Sequence, residues 1–152
     1  MLTLVREWGE LPPPDLASLR VEVAGDLRAS FVRPLTRLAP AGLGLVGLPH
    51  WQGKRFRDAA DGRDGLAGAN VVRRGDGALE EVLAMRATLG PSLADGRPAV
   101  VVAYAADAPR PWRWVRDELR QRPDGTLLGM TWVDAPLLRR LPGTPFLLTP
   151  SA

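Results

Sequence analysis

A chain of 152 residues with 45% hydrophobic residues is the size of one domain and can bury a core without covalent staples. It has no cysteine, which excludes disulfides, thiolate metal sites and a cysteine nucleophile. The formal charge is only +3, carried almost wholly by arginines lying near Asp or Glu, so no basic footprint for nucleic acid is expected.

The amino terminus, MLTLVREWGELPPP, lacks the basic start and unbroken apolar core of a secretory signal, and a cytoplasmic protein is expected. The stretch 39–49 is about half a membrane span and is broken by Gly42, Gly44 and Gly47, so no transmembrane helix is predicted. After Pro12-Pro13-Pro14, Asp15 is placed to cap a short helix through Leu16 and Leu19. From Asp26, DLRASFVRPLTRL mixes strand and helix spacing around Pro34, and reads as irregular or helical cover.

Beyond Pro49 the texture changes to short β-like runs punctuated by turn residues. The predicted strands are 51–58, 69–74, 81–89, 98–106, 112–121, 126–134 and 144–149. Ala94-Asp95-Gly96 and Pro123-Asp124-Gly125 read as hairpin turns, where glycine supplies positive φ. The loop 59–68 is long enough to suggest a lid, and 135–142 a helical turn. The expectation is a single mainly β domain over 1–152. Residues 1–48 give short helical or irregular cover, and 49–150 an antiparallel meander closing into a calycin- or lipocalin-like barrel or half-barrel.

Alternation would place Trp112, Trp114, Arg116, Glu118 and Arg120 on one face of their strand and Arg113, Val115, Asp117 and Leu119 on the other. Asp117 and Glu118 therefore cannot both enter one cavity. Lys54, the sole lysine, shares a face with Phe56. In an apolar cavity burial would lower its pKa and give a base or Schiff-base nucleophile, whereas the plainer reading is a salt-bridged lysine. Asp117 and Glu118 are the candidate acid/base carboxylates, against simple ion pairing with Arg113, Arg116 or Arg120. Tyr104, the only tyrosine, sits in a strongly apolar run as either a phenolic donor in a pocket or a core residue. His50 is the only histidine and is expected at the surface, so metal binding and serine–histidine chemistry are not predicted. No glycine-rich phosphate loop follows a strand, and no cofactor is expected.

The segments Trp51–Phe56, Asn70–Arg73, Arg116–Arg120 and Asp124–Met130 resemble the companion domain of bacterial GXWXXR-type proteins, over about residues 45–149. That family shows a tryptophan-x-glycine-lysine-x-phenylalanine strand and an aspartate-x-x-arginine strand paired with a threonine-leucine-leucine-glycine-methionine strand. The resemblance implies a small lipocalin-like or fatty-acid-binding-protein-like β domain, without an activity. It marks Trp51, Gly53, Lys54, Phe56, Asp117, Arg120, Gly129 and Met130. The amino-terminal GDLRASFVRP departs from the pattern, having no tryptophan two residues after its glycine.

Three functions compete. The first is a cofactor-independent isomerase, cyclase or lyase acting on a small hydrophobic molecule, with Lys54, Asp117 and Tyr104 as catalytic groups and Arg73 in support. The second is a non-catalytic binder of an apolar or carboxylate ligand, walled by Trp51, Phe56, Trp114, Met130, Trp132 and Phe146, with Arg73 or Arg120 meeting a carboxylate. The third is an interaction domain, possible as a homodimer, whose apolar patch would comprise Leu43, Leu45, Val46 and Leu48.

Overall fold

The computed structural model describes residues 2–31, 48, 50–135 and 143–152. Its centre is a closed barrel of eight antiparallel strands in chain order. These are β1 (Leu27–Phe31), β2 (Trp51–Asp58), β3 (Leu66–Arg73), β4 (Leu79–Pro91), β5 (Pro98–Tyr104), β6 (Val115–Gln121), β7 (Leu127–Val133) and β8 (Thr144–Pro150). Of the closed and half-open forms expected, the chain adopts the closed one, so no strand is left as a free edge along its whole length.

The meander follows the predicted punctuation. Gly96 and Gly125 take φ of 72° and 87° in the two anticipated turns, and the Asp124 carboxylate accepts from the backbone N–H and hydroxyl of Thr126. The expectation for the amino-terminal part needs correction. Leu27–Phe31 is a strand, and it closes the barrel by pairing over its whole length with β8, while meeting β2 only at Leu27↔Lys54 and Arg28↔Gly53. The strand expected at 112–121 is also shorter, because Trp112–Trp114 form a 3-10 turn and β6 begins at Val115.

Three short helices provide the cover. Helix α1 (Leu2–Glu10) lies against the outer face of the barrel, where Trp8 and Leu11 pack on Ala99, Leu128 and Met130. Asp15 caps a 3-10 turn, Leu16–Leu19, by accepting from the Ala17 N–H. A single turn of helix, α2 (Val21–Ala24), follows. Leu19 and Ala24 then join Leu27, Phe56, Leu66, Leu127 and Leu148 in the buried core at one end of the barrel. Among the described residues no helix is long and apolar enough to cross a membrane.

Two glycines let aromatic rings lie flat inside the barrel. Gly68 pairs directly with Phe56, and Gly129 with Phe146. A Cβ at either position would overlap the facing ring, so the rings fill the space that the glycines leave. The amino-terminal turns cover one end of the barrel, and the polar-lined cavity lies at the other.

Candidate functional site

The cavity lies at the barrel end where β2 and β6 begin and β3, β5 and β7 finish. It has a volume of about 200 Å³ and is walled by Trp51, Pro111, Trp112, Val115 and Phe146, with Leu48 beside them. Its polar side is supplied by Lys54, Asn70, Tyr104, Asp117 and Thr131. Strand alternation explains how these meet. Asn70 pairs with Lys54, and Thr131 with Asp117, so both cross-strand pairs turn inward at the same level. A register shift between Trp51 and Gly53 brings Trp51 onto the face of Lys54 instead of the opposite one.

Lys54 is 1% exposed and its ammonium spends all three protons. It donates to Asp117 Oδ2 at 2.8 Å, to Asn70 Oδ1 at 3.0 Å and to Tyr104 Oη at 3.1 Å. The second oxygen of Asp117 accepts from the Thr131 hydroxyl at 2.8 Å. Asn70 is oriented without ambiguity: its carbonyl oxygen accepts from both Lys54 and the Trp51 indole N–H at 3.1 Å, and its amide therefore faces Tyr104 Oη at 2.9 Å. The ammonium also stands 5.5 Å from the ring centres of both Trp51 and Tyr104.

These contacts reverse one expectation from the sequence. Burial by itself would push the Lys54 ammonium down, but the attraction of Asp117 and Tyr104 and the hydrogen bonds to both outweigh it and hold the pKa up to about 12. Lys54 is a fixed cation, not a neutral amine, and a Schiff-base role is not supported. Burial pushes the Tyr104 phenol up, more than Lys54 beside it pulls it down. The phenol therefore keeps its proton at neutral pH.

The structure brings together Lys54, Asp117, Tyr104 and Trp51 and separates the other predicted site residues from them. Phe56 points into the barrel but belongs to its closed end, against Gly68. Met130 and Trp132 face outward, in and beside the cluster beneath α1. Trp114 lies in the 3-10 turn, where it is 38% exposed and its ring lies near Arg110 and Arg113. Arg73 is exposed and donates to the Gly77 carbonyl. Arg120 is buried on the outer face, clamped to Asp95 at 2.7 and 2.8 Å and to the carbonyls of Trp8, Arg97 and Pro98. None of these six lines the cavity. Phe56 lies too deep toward the closed end, while the 3-10 turn and the outward half of each strand's alternation put the other five on the wall's other side.

Glu118 also faces outward, its Oε1 accepting from the Leu93 N–H and from Arg116. Leu48 is buried beside the cavity instead of forming an exposed patch, while Leu43, Leu45 and Val46 lie outside the described residues. So does most of the helical turn expected over 135–142. The connection 59–65 joins β2 to β3 at the closed end, away from the cavity, and does not serve as its lid. Asn70 and Thr131 are the site residues that sequence reasoning missed. Asn70 carried a usable signal, being the chain's only asparagine, set in an apolar strand.

No protein-family model, curated protein or solved structure matches the chain.

Proposed function

We propose that this barrel binds a small, largely apolar molecule in its open end, and that it is a binder in preference to an acid/base catalyst. The observation that carries the reading is a cavity of about 200 Å³ with aromatic and aliphatic walls and a compact polar cluster at one side. An apolar cavity of roughly 150 Å³ already takes up benzene, so the volume suits a substituted six-membered ring.

Catalysis by proton transfer asks for a group with a free lone pair or an adjustable proton near neutral pH. Lys54 is held protonated, and each oxygen of Asp117 is engaged, one by Lys54 and one by Thr131. The pair therefore supports orientation better than turnover. The likeness of the Trp51–Phe56 and Asp124–Met130 strands to the companion domain of GXWXXR-type proteins fits a small-molecule barrel and brings no reaction with it.

Native mass spectrometry of the freshly purified protein, followed by denaturing extraction, tests the proposal. A one-to-one complex with a neutral apolar compound, recovered unchanged after long incubation, is the expected result. Recovery of a converted product would favour the catalytic reading. An empty protein that also fails to take up added toluene would overturn both.

A further inference from the structure

The proton inventory of the buried cluster identifies what kind of molecule fits. This inference rests on the binding reading above and specifies the ligand. Three protons of Lys54 go to Asp117, Asn70 and Tyr104, the Thr131 proton goes to Asp117, and the amide of Asn70 donates to Tyr104. The phenol oxygen thus accepts twice, from an ammonium and from an amide. Among the described residues no hydrogen bond donated by the phenol itself is found. Tyr104 is only 8% exposed and lines the cavity. A buried O–H without an acceptor is costly, and a ligand oxygen would satisfy it.

We propose that Tyr104 is the specificity-determining donor of the cavity, and that the natural ligand is a neutral, ring-sized apolar molecule presenting one acceptor oxygen, of the ketone or aldehyde class, to its hydroxyl. The two hydrogen bonds that the phenol oxygen accepts polarise its O–H and make it a stronger donor. Lys54, Asn70 and Asp117 act as positioning residues that fix the oxygen in place. An anionic ligand is disfavoured: the cavity's cation is already neutralised at 2.8 Å by Asp117, and a carboxylate would approach that carboxylate with no free base to meet it. A hydrocarbon of the same shape fits the walls but leaves the phenol unanswered.

Calorimetric titration of the whole protein with acetophenone, ethylbenzene and benzoate tests this. Acetophenone and ethylbenzene share size and ring, and differ in the acceptor oxygen. The wild-type protein is expected to bind acetophenone about fivefold to tenfold more tightly than ethylbenzene, the effect of one neutral hydrogen bond in a desolvated site, and benzoate more weakly than acetophenone. In Tyr104→Phe, judged by the ratio of the two affinities so that any general loss of binding cancels, the preference for the ketone is expected to fall.

Equal binding of ketone and hydrocarbon by the wild type would overturn the inference and leave the binding reading standing. So would tighter binding of benzoate, or an unchanged preference in Tyr104→Phe. Binding of none of the three would overturn the binding reading itself. The comparison within the wild type needs no variant, so a Tyr104→Phe protein that fails to fold does not remove the test.

Discussion

Lys54 shows how one side chain can look reactive in sequence and prove structural in context. A lone lysine in a barrel interior suggests a depressed pKa, yet the decisive fact is what stands opposite it, and Asp117 comes from a strand that begins sixty-one residues later in the chain. No local spacing encodes that meeting. Replacing the lysine by methionine leaves the Asp117 carboxylate buried without its cation. Lys54→Met is therefore expected to destabilise the fold by about 3–5 kcal/mol, with the double variant Lys54→Met/Asp117→Leu recovering a large part, as read by urea denaturation.

The same pair sets a pH dependence. The folded-state pKa of Lys54 lies above its ordinary 10.5, at about 12, and that of Tyr104 is raised above 10.0. For both groups the unfolded chain releases its proton first, so the stability these two groups contribute is fully present below pH 10 and falls as pH rises from there through 12. Melting temperatures across this range should decline, and Lys54→Met should show a shallower decline than the wild type. An identical slope in the two proteins would deny the ion pair its role.

At the scale of the element, legibility follows how local each strand's reasons are. The bounds of β2 emerge from its sequence as Trp51–Asp58, and the Asp-Gly turns locate the hairpins, because both depend on residues close in the chain. Strand β1 escapes notice because it has five residues and is specified by β8, at the far end of the chain, and not by its own pattern. Simple alternation likewise fails at Trp114, where a 3-10 turn precedes β6, and at Trp51, where the register shifts. The inward set of β6 is still readable: Val115, Asp117 and Leu119 share a face, as alternation requires.

Arg120 was legible as important but not as what it is. Its guanidinium stands 4.6 Å from the Trp8 ring centre and uses its fork on Asp95 and three carbonyls, tying α1 and the β4–β5 turn to the barrel. An ammonium cannot reproduce that geometry. Arg120→Lys is expected to cost on the order of 3 kcal/mol and to raise hydrogen exchange in α1 before the barrel strands, with binding in the cavity retained. Gly129 is the counterpart within a strand. Gly129→Ala would drive a methyl into the Phe146 ring at the cavity wall, with an expected loss of about 1–3 kcal/mol and weaker uptake of toluene.

At the scale of the whole molecule, the barrel has two unlike ends. One is filled by Phe56, Leu66, Leu127 and the amino-terminal turns, and the other keeps an opening among Trp51, Trp112, Val115 and Phe146. Eight strands give an interior just wide enough for side chains or for one small ligand; here side chains fill one end and a cavity of about 200 Å³ lies at the other. The sequence conveyed the barrel and its inner Lys54, Asp117 and Tyr104. It did not convey which end was open, because that depends on where the amino-terminal turns dock.

A toluene titration followed by side-chain NMR tests the central claim most directly. Shifts are expected at the Val115 methyls, the Trp51 and Trp112 rings and the Tyr104 ring, with the signals of Phe56 and Leu127 at the closed end unmoved. Shifts confined to exposed apolar residues such as Leu89 and Leu93, or none at all, would contradict an accessible interior cavity at the end described.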